Sequence, residues 1–184
     1  MRIALVATCA ALGLLGACST TPPPATATAP AAASTRHAVA NLAAASGSLV
    51  SGRLTLTPTA GGVRIAGDIG GLAPGSSHGF HIHETGDCSA ADASSAGGHF
   101  NPHASAHGRA GATPHHAGDM DNIRADADGV ARVDVQVAGV ALGDGSDNDI
   151  AGRALVVHAA ADDYASQPAG NAGARIACGV IAVD

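Results

Sequence analysis

The folded part of this sequence predicts an all-β sandwich or flattened barrel. Three observations carry the prediction. Many short segments alternate apolar and polar residues, glycine-rich turns separate them, and no convincing helical period occurs after the first residues.

The N-terminal stretch reads as a targeting segment. Met1 and Arg2 give a positive start, and Ile3 to Leu15 is an apolar run rich in Ala and Leu. It is too short to span a bilayer and has the shape of a secretory signal's apolar region. The run ends in "LLGAC", Leu14 to Cys18, which resembles the lipobox of bacterial lipoproteins. Residues 1–17 are therefore expected to be a signal peptide and Cys18 a lipidated mature N-terminus, which would anchor a periplasmic domain to a membrane. Ordinary cleavage further on, after "ATA" at Ala25 to Ala27, is the competing reading. Residues 18–46 are mainly Pro, Ala, Ser and Thr with almost no charge, a composition that predicts a disordered tether with His37 solvated. The domain is then expected over residues 47–184.

Within it, "SLVSGRLTLTPT" (residues 48–59) and "GVRIAGDIGGL" (62–72) alternate around a glycine turn, a hairpin signal. "GFHIHETGDC" (79–88) follows a second turn and reads as a strand. Because successive strand side chains face opposite ways, His81 and His83 share one face. Residues 84–119 show no sustained period, and a loop of that length needs ties of its own. Alternation returns over residues 121–137, where Asp128–Gly129 predicts a hairpin turn. "ALVVHA" (154–159) is a short apolar strand, residues 161–175 a second long loop, and "RIACGVIAVD" (175–184) the closing strand.

The formal charge is −6 with no lysine, so the basic stripe that nucleic-acid binding requires is missing. Cys9 and Cys18 fall in the signal region. Cys88 and Cys178 remain, an even pair in an exported chain, for which a disulfide is the default. It would close a loop of roughly 90 residues, worth about 4–5 kcal/mol on a chain-entropy model. Two thiolate ligands for a soft metal are the alternative.

Nine of the ten histidines lie between residues 78 and 158. Imidazole suits copper and zinc, and Asp119 in "HHAGD" adds a carboxylate candidate. Five segments in order, "GFHIHETGDC", "SAGGHFNPHASAHG", "PHHAGDMDNI", "GRALVVHAAADD" and "GNAGARIACGVI", closely resemble the signatures of copper/zinc superoxide dismutases, of the bacterial periplasmic branch. The resemblance covers nearly all of residues 47–184. It implies a Greek-key, immunoglobulin-like flattened barrel of eight strands with two long functional loops. It further implies copper held by His81, His83, His99 and His158, and zinc held by His99, His107, His116 and Asp119, with His99 bridging the two. Four imidazoles form the tetragonal nitrogen set that Cu(II) prefers, and three imidazoles with one carboxylate form a closed tetrahedral zinc site. By the same resemblance Asp162 links a copper ligand to a zinc ligand, His78 ties loop backbone, and Arg175 guides the superoxide anion to copper. His103 and His115 have no ligand counterpart in that resemblance and are expected to be exposed.

The activity implied is dismutation of superoxide to dioxygen and hydrogen peroxide, with copper cycling between Cu(II) and Cu(I) and His99 carrying a proton. Arg175, helped by Arg109, must supply the local positive field of an otherwise acidic protein. A non-enzymatic copper or zinc carrier on the same fold is the rival reading. A zinc hydrolase would need an open metal position and a carboxylate base, which the sole glutamate, Glu84, does not obviously offer. Both a monomer and a homodimer are left open.

Overall fold

The computed structural model describes residues 36–184. Among the described residues nine strand segments form: β1 (Ala38–Ala44), β2 (Ser51–Thr59), β3 (Gly62–Gly70), β4 (Ser77–His78), β5 (Phe80–His83), β6 (Ile123–Arg124), β7 (Ala131–Ala138), β8 (Ala154–His158) and β9 (Arg175–Val183). A single 3-10 turn, Ser94–Ala96, is the one helical element among the described residues.

Seven strands pair in the order β5-β8-β9-β1-β2-β3-β7, and β4 pairs with β6. Only Gly79 separates β4 from β5, so the two act as one strand and the count is eight. Connections from β3 to β4 and from β7 to β8 cross between opposite ends of this order, which is Greek-key topology. The sheet is a curled, flattened barrel. Its end strands β6 and β7 are consecutive in the chain and are joined by the turn at residues 125–130.

The period-2 pattern explains which side fills the interior. Leu54 and Leu56 of β2, Val63 and Ile65 of β3, and Phe80 and Ile82 of β5 point into one apolar cluster and are fully buried. Each contributes about 1.5–3 kcal/mol by burial. Leu155 and Val157 of β8 join that cluster, whereas Ala154 and Val156 face outward. This outer face is itself covered, because Ala154, Val156 and Cys178 pack with Ala45, Ala93 and Ala96 beneath the long loop after β5. The Cys88–Cys178 disulfide pins that loop to β9.

Two sequence expectations need correction. The tether expected over residues 18–46 does not extend to residue 46, because Ala38–Ala44 is β1. This strand lies between β2 and β9, with Leu42 opposite Gly52 and Ala40 opposite Ile181. Ala38, Ala40 and Leu42 are buried at alternate positions. Alanine carries little strand preference and resembles linker composition, which concealed the period. The rest of the expected tether, the signal region and Cys18 lie outside the described residues. The Asp128–Gly129 turn forms, with the Asp126 carboxylate accepting from the N–H groups of Asp128 (2.9 Å) and Val130 (3.1 Å). Its flanks do not become partners, however: β6 pairs with β4, and β7 pairs with β3.

Candidate metal centre

Because Phe80 and Ile82 face the interior, His81 and His83 project from the opposite face of β5, beneath the two long loops. His158 extends the outward series Ala154, Val156 on the neighbouring strand β8. His99 reaches them through an isolated antiparallel bridge with His83. The loop beyond folds back, supplying His107, His116 and Asp119. All seven side chains are buried. They form two groups of four, His81, His83, His99, His158 and His99, His107, His116, Asp119, and within each group the ligand atoms lie within 4.8 Å of one another. His99 belongs to both.

Hydrogen bonding fixes which nitrogen each imidazole turns to its group. His83 Nδ1 lies 2.9 Å from Gly97 O, and His158 Nδ1 lies 3.2 Å from Gly173 O. A carbonyl can only accept, so both Nδ1 atoms donate and both Nε2 atoms carry lone pairs. Those Nε2 atoms stand 3.3 Å apart. His81 Nε2 lies 2.7 Å from Asp162 Oδ2, which leaves His81 Nδ1 as a buried acceptor without a partner. His99 Nε2 is buried and unpartnered as well. Four lone pairs thus converge in a site that excludes water, an arrangement that is repulsive unless a cation sits among them. Copper fits this donor set.

The second group is built around one oxygen. Asp119 Oδ1 lies 2.8 Å from His99 Nδ1, 3.0 Å from His107 Nδ1 and 3.2 Å from His116 Nδ1. Its other oxygen accepts from the backbone N–H groups of Gly108 and His116. A tetrahedral zinc with bonds of about 2.0 Å sets its ligand atoms roughly 3.3 Å apart, so these spacings suit zinc. Asp162 joins the two groups from behind, with Oδ2 on His81 and Oδ1 3.0 Å from His107 Nε2. Asn122 holds Asp162 in place by accepting its N–H and donating to its carbonyl. Gly170 completes the cradle, since a Cβ there would stand 1.7 Å from Asp162 Oδ1 in a left-handed conformation of φ +66°.

Burial, with the neighbouring imidazoles and Arg175, pushes His83 down to about 2 and His158 down to about 3. Burial also lowers His81 and His116. Asp162 is desolvated, which alone would raise it, but hydrogen bonds from His81, Tyr164 and His107 prevail and hold it at about 2. Asp119 is likewise held well below the usual carboxylate range, its hydrogen bonds from His99, His116 and Gly108 outweighing burial. At neutral pH His81, His83, His116 and His158 therefore offer lone pairs beside ionised carboxylates, the state a metal requires.

Arg175 stands beside the first group. Its guanidinium donates to Ala93 O at 2.7 Å and to Gly97 O at 2.6 Å. Gly97 O therefore orients both His83 and the arginine. Arg109 is differently placed: it pairs with Asp121 at 3.0 Å and lies over the Tyr164 ring, so its charge is compensated locally. His78 is buried outside both groups and ties His158 O (2.8 Å) to Ser76 Oγ (2.6 Å). His103 is exposed and His115 turns to Ala112 O, so His116 is the member of the pair inside the second group. Sequence reasoning missed Asn122 and the carbonyls of Gly97 and Gly173. Backbone acceptors leave no side-chain signature to find.

The sequence model for copper/zinc superoxide dismutase matches residues 50–181. The chain belongs to the copper/zinc superoxide dismutase family. Two Cu-Zn superoxide dismutases of Aquifex aeolicus are each 47% identical to it, over 135 and 133 residues. These matches span 72% and 71% of this chain and 79% of each relative. A crystal structure of a double mutant of a superoxide dismutase-like protein from Bacillus subtilis superposes with a TM-score of 0.71 at 39% identity. That match covers 81% of this chain and 99% of the other. A superoxide dismutase of this family carries copper and zinc, and the two histidine groups are where this chain can hold them.

Proposed function

We propose that this chain is an exported copper/zinc superoxide dismutase whose copper is held by His81, His83, His99 and His158 and whose zinc is held by His99, His107, His116 and Asp119. The observation that carries this reading is the convergence of buried lone pairs on His81 Nδ1, His83 Nε2, His99 Nε2 and His158 Nε2, with His99 Nδ1 turned to the second group. Copper held there would supply a one-electron Cu(II)/Cu(I) couple for converting two superoxide anions and two protons into dioxygen and hydrogen peroxide.

The protein's own part is electrostatic and positional. Gly97 O and Gly173 O fix two imidazoles by their far nitrogens, and Asp162 fixes a third, so little reorganisation accompanies turnover. His99 has Nδ1 turned to the Asp119 group and Nε2 turned to the copper group, and Nε2 is the nitrogen that could hold a proton for the reduced anion whenever it is not bound to copper. Arg175, immobilised on the carbonyls of residues 93 and 97, presents a fixed positive charge beside His83 and His158 and draws superoxide inward.

Export and anchoring rest on the "LLGAC" segment and on the Cys88–Cys178 disulfide, which suits an oxidising compartment. Cys18 is the lipidated residue, and the chain is a periplasmic lipoprotein. Palmitate labelling that vanishes in Cys18→Ala is the expected result, and equal labelling of both chains rejects it.

Metal content and superoxide decay test the site. Wild type carries one copper and one zinc and dismutates, whereas His83→Ala loses copper and activity. Full activity in His83→Ala contradicts the assignment, and a metal-loaded wild type without activity would favour the carrier reading.

A further inference from the structure

We propose that Gln167 is a positioning residue for zinc, gripping the main chain of His107 from the opposite loop. The inference rests on the reading of His99, His107, His116 and Asp119 as the zinc set. Gln167 Oε1 accepts the backbone N–H of His107 at 2.9 Å, and Gln167 Nε2 donates to the backbone carbonyl of His107 at 2.9 Å. The second Nε2 hydrogen goes to Ala165 O at 3.2 Å, so both amide donors are used. One side chain thus imitates the paired bonds of a neighbouring strand. No other hydrogen bond to the main chain of His107 occurs among the described residues.

The position of His107 decides what this grip accomplishes. Its ring is held at both ends, Nδ1 3.0 Å from Asp119 Oδ1 and Nε2 3.0 Å from Asp162 Oδ1. A ring that must turn Nδ1 to the zinc group and Nε2 to Asp162 is aligned only if its backbone is fixed, and His107 lies in a loop without regular pairing. Gln167 supplies the missing pairing from the 161–175 loop. That loop also carries Asp162 and the Gly173 carbonyl that orients His158. Zinc in the first loop is thereby coupled to the geometry of the second. Gln167 is exposed, so its removal leaves the core intact and weakens zinc at the lower end of the 10- to 100-fold range typical of outer-shell partners, about tenfold.

The test uses the full metal-free chain loaded with zinc alone in competition with a chromophoric chelator, and in parallel with Co(II), whose visible spectrum reports ligand geometry. Gln167→Leu is expected to bind zinc about tenfold more weakly and to alter the Co(II) spectrum. Gln167→Glu keeps the size and the acceptor but replaces the donor with an oxygen facing His107 O, and it should weaken zinc as well. Zinc affinity and Co(II) spectrum unchanged in Gln167→Glu overturn the proposal, even if Gln167→Leu is weakened through a packing defect. Asp119→Ala separates the two layers. If it retains the wild-type Co(II) spectrum, the zinc set itself is misassigned. If it loses that spectrum while both Gln167 variants keep it, only the grip is wrong.

Discussion

Gly97 gives one carbonyl to two side chains, His83 and Arg175, so orientation of a copper-side imidazole and placement of the cation share an anchor. The arginine's hydrogen bonds go to the carbonyls of residues 93, 94 and 97 and to none of the four proposed copper ligands. Arg175→Ala should therefore retain both metals while its second-order rate falls about tenfold, the lower bound for electrostatic steering. Wild-type rates should decline with rising ionic strength, and the decline should flatten in the variant, because Arg109 is already neutralised by Asp121 and cannot substitute. An equal salt slope in both proteins would contradict the assignment. At this scale the sequence was informative wherever an imidazole or carboxylate carries the chemistry. The "HIH" pair could be read directly from the strand period, whereas the roles of His158 and Asp162 were legible only through the family resemblance. Carbonyl acceptors and the amides of Asn122 and Gln167 could not, since their roles depend on contacts across 14 to 60 residues of chain.

Two elements carry the loops. The disulfide fastens the first loop to β9 across a separation of 90 residues, next to the strand start that bears Arg175. Replacing Cys88 and Cys178 with serine should cost about 2–5 kcal/mol, measured as a shift in denaturation midpoint with the slope unchanged. β1 is the second element. It is hydrogen-bonded on both sides, so a chain beginning at residue 47 should fail to fold, whereas one beginning at residue 36 should fold. Circular dichroism distinguishes these outcomes. β2 and β3, with their branched residues, were evident from alternation, and β8 from its short apolar run. β1 was hidden by its alanines, and the partner of β6 was hidden because a strong local turn signal says nothing about long-range pairing.

Across the whole molecule, acidity and burial combine. In the metal-free protein His83 and His158 stay neutral down to about 2 and about 3, whereas in the unfolded chain each takes a proton near the ordinary histidine value of 6.5. The unfolded state thus binds more protons between these limits, so stability rises with pH there and is lost progressively as pH falls below about 6.5. Asp162, at about 2 when folded, adds a second loss below the ordinary carboxylate value of 3.8. Metal-free protein should therefore show a lower unfolding temperature at pH 4.5 than at pH 7. Saturating zinc at pH 7 should raise it, because the metal binds the folded state preferentially. A metal-free protein equally stable at both pH values would contradict the buried-imidazole account.

The shared imidazole is most directly tested by electron paramagnetic resonance of protein loaded with two Cu(II) ions per chain, one in each group. Two coppers joined through the His99 ring should couple magnetically, and His99→Ala should show two independent Cu(II) signals or lose one ion. Uncoupled signals from the wild-type protein would contradict a common centre.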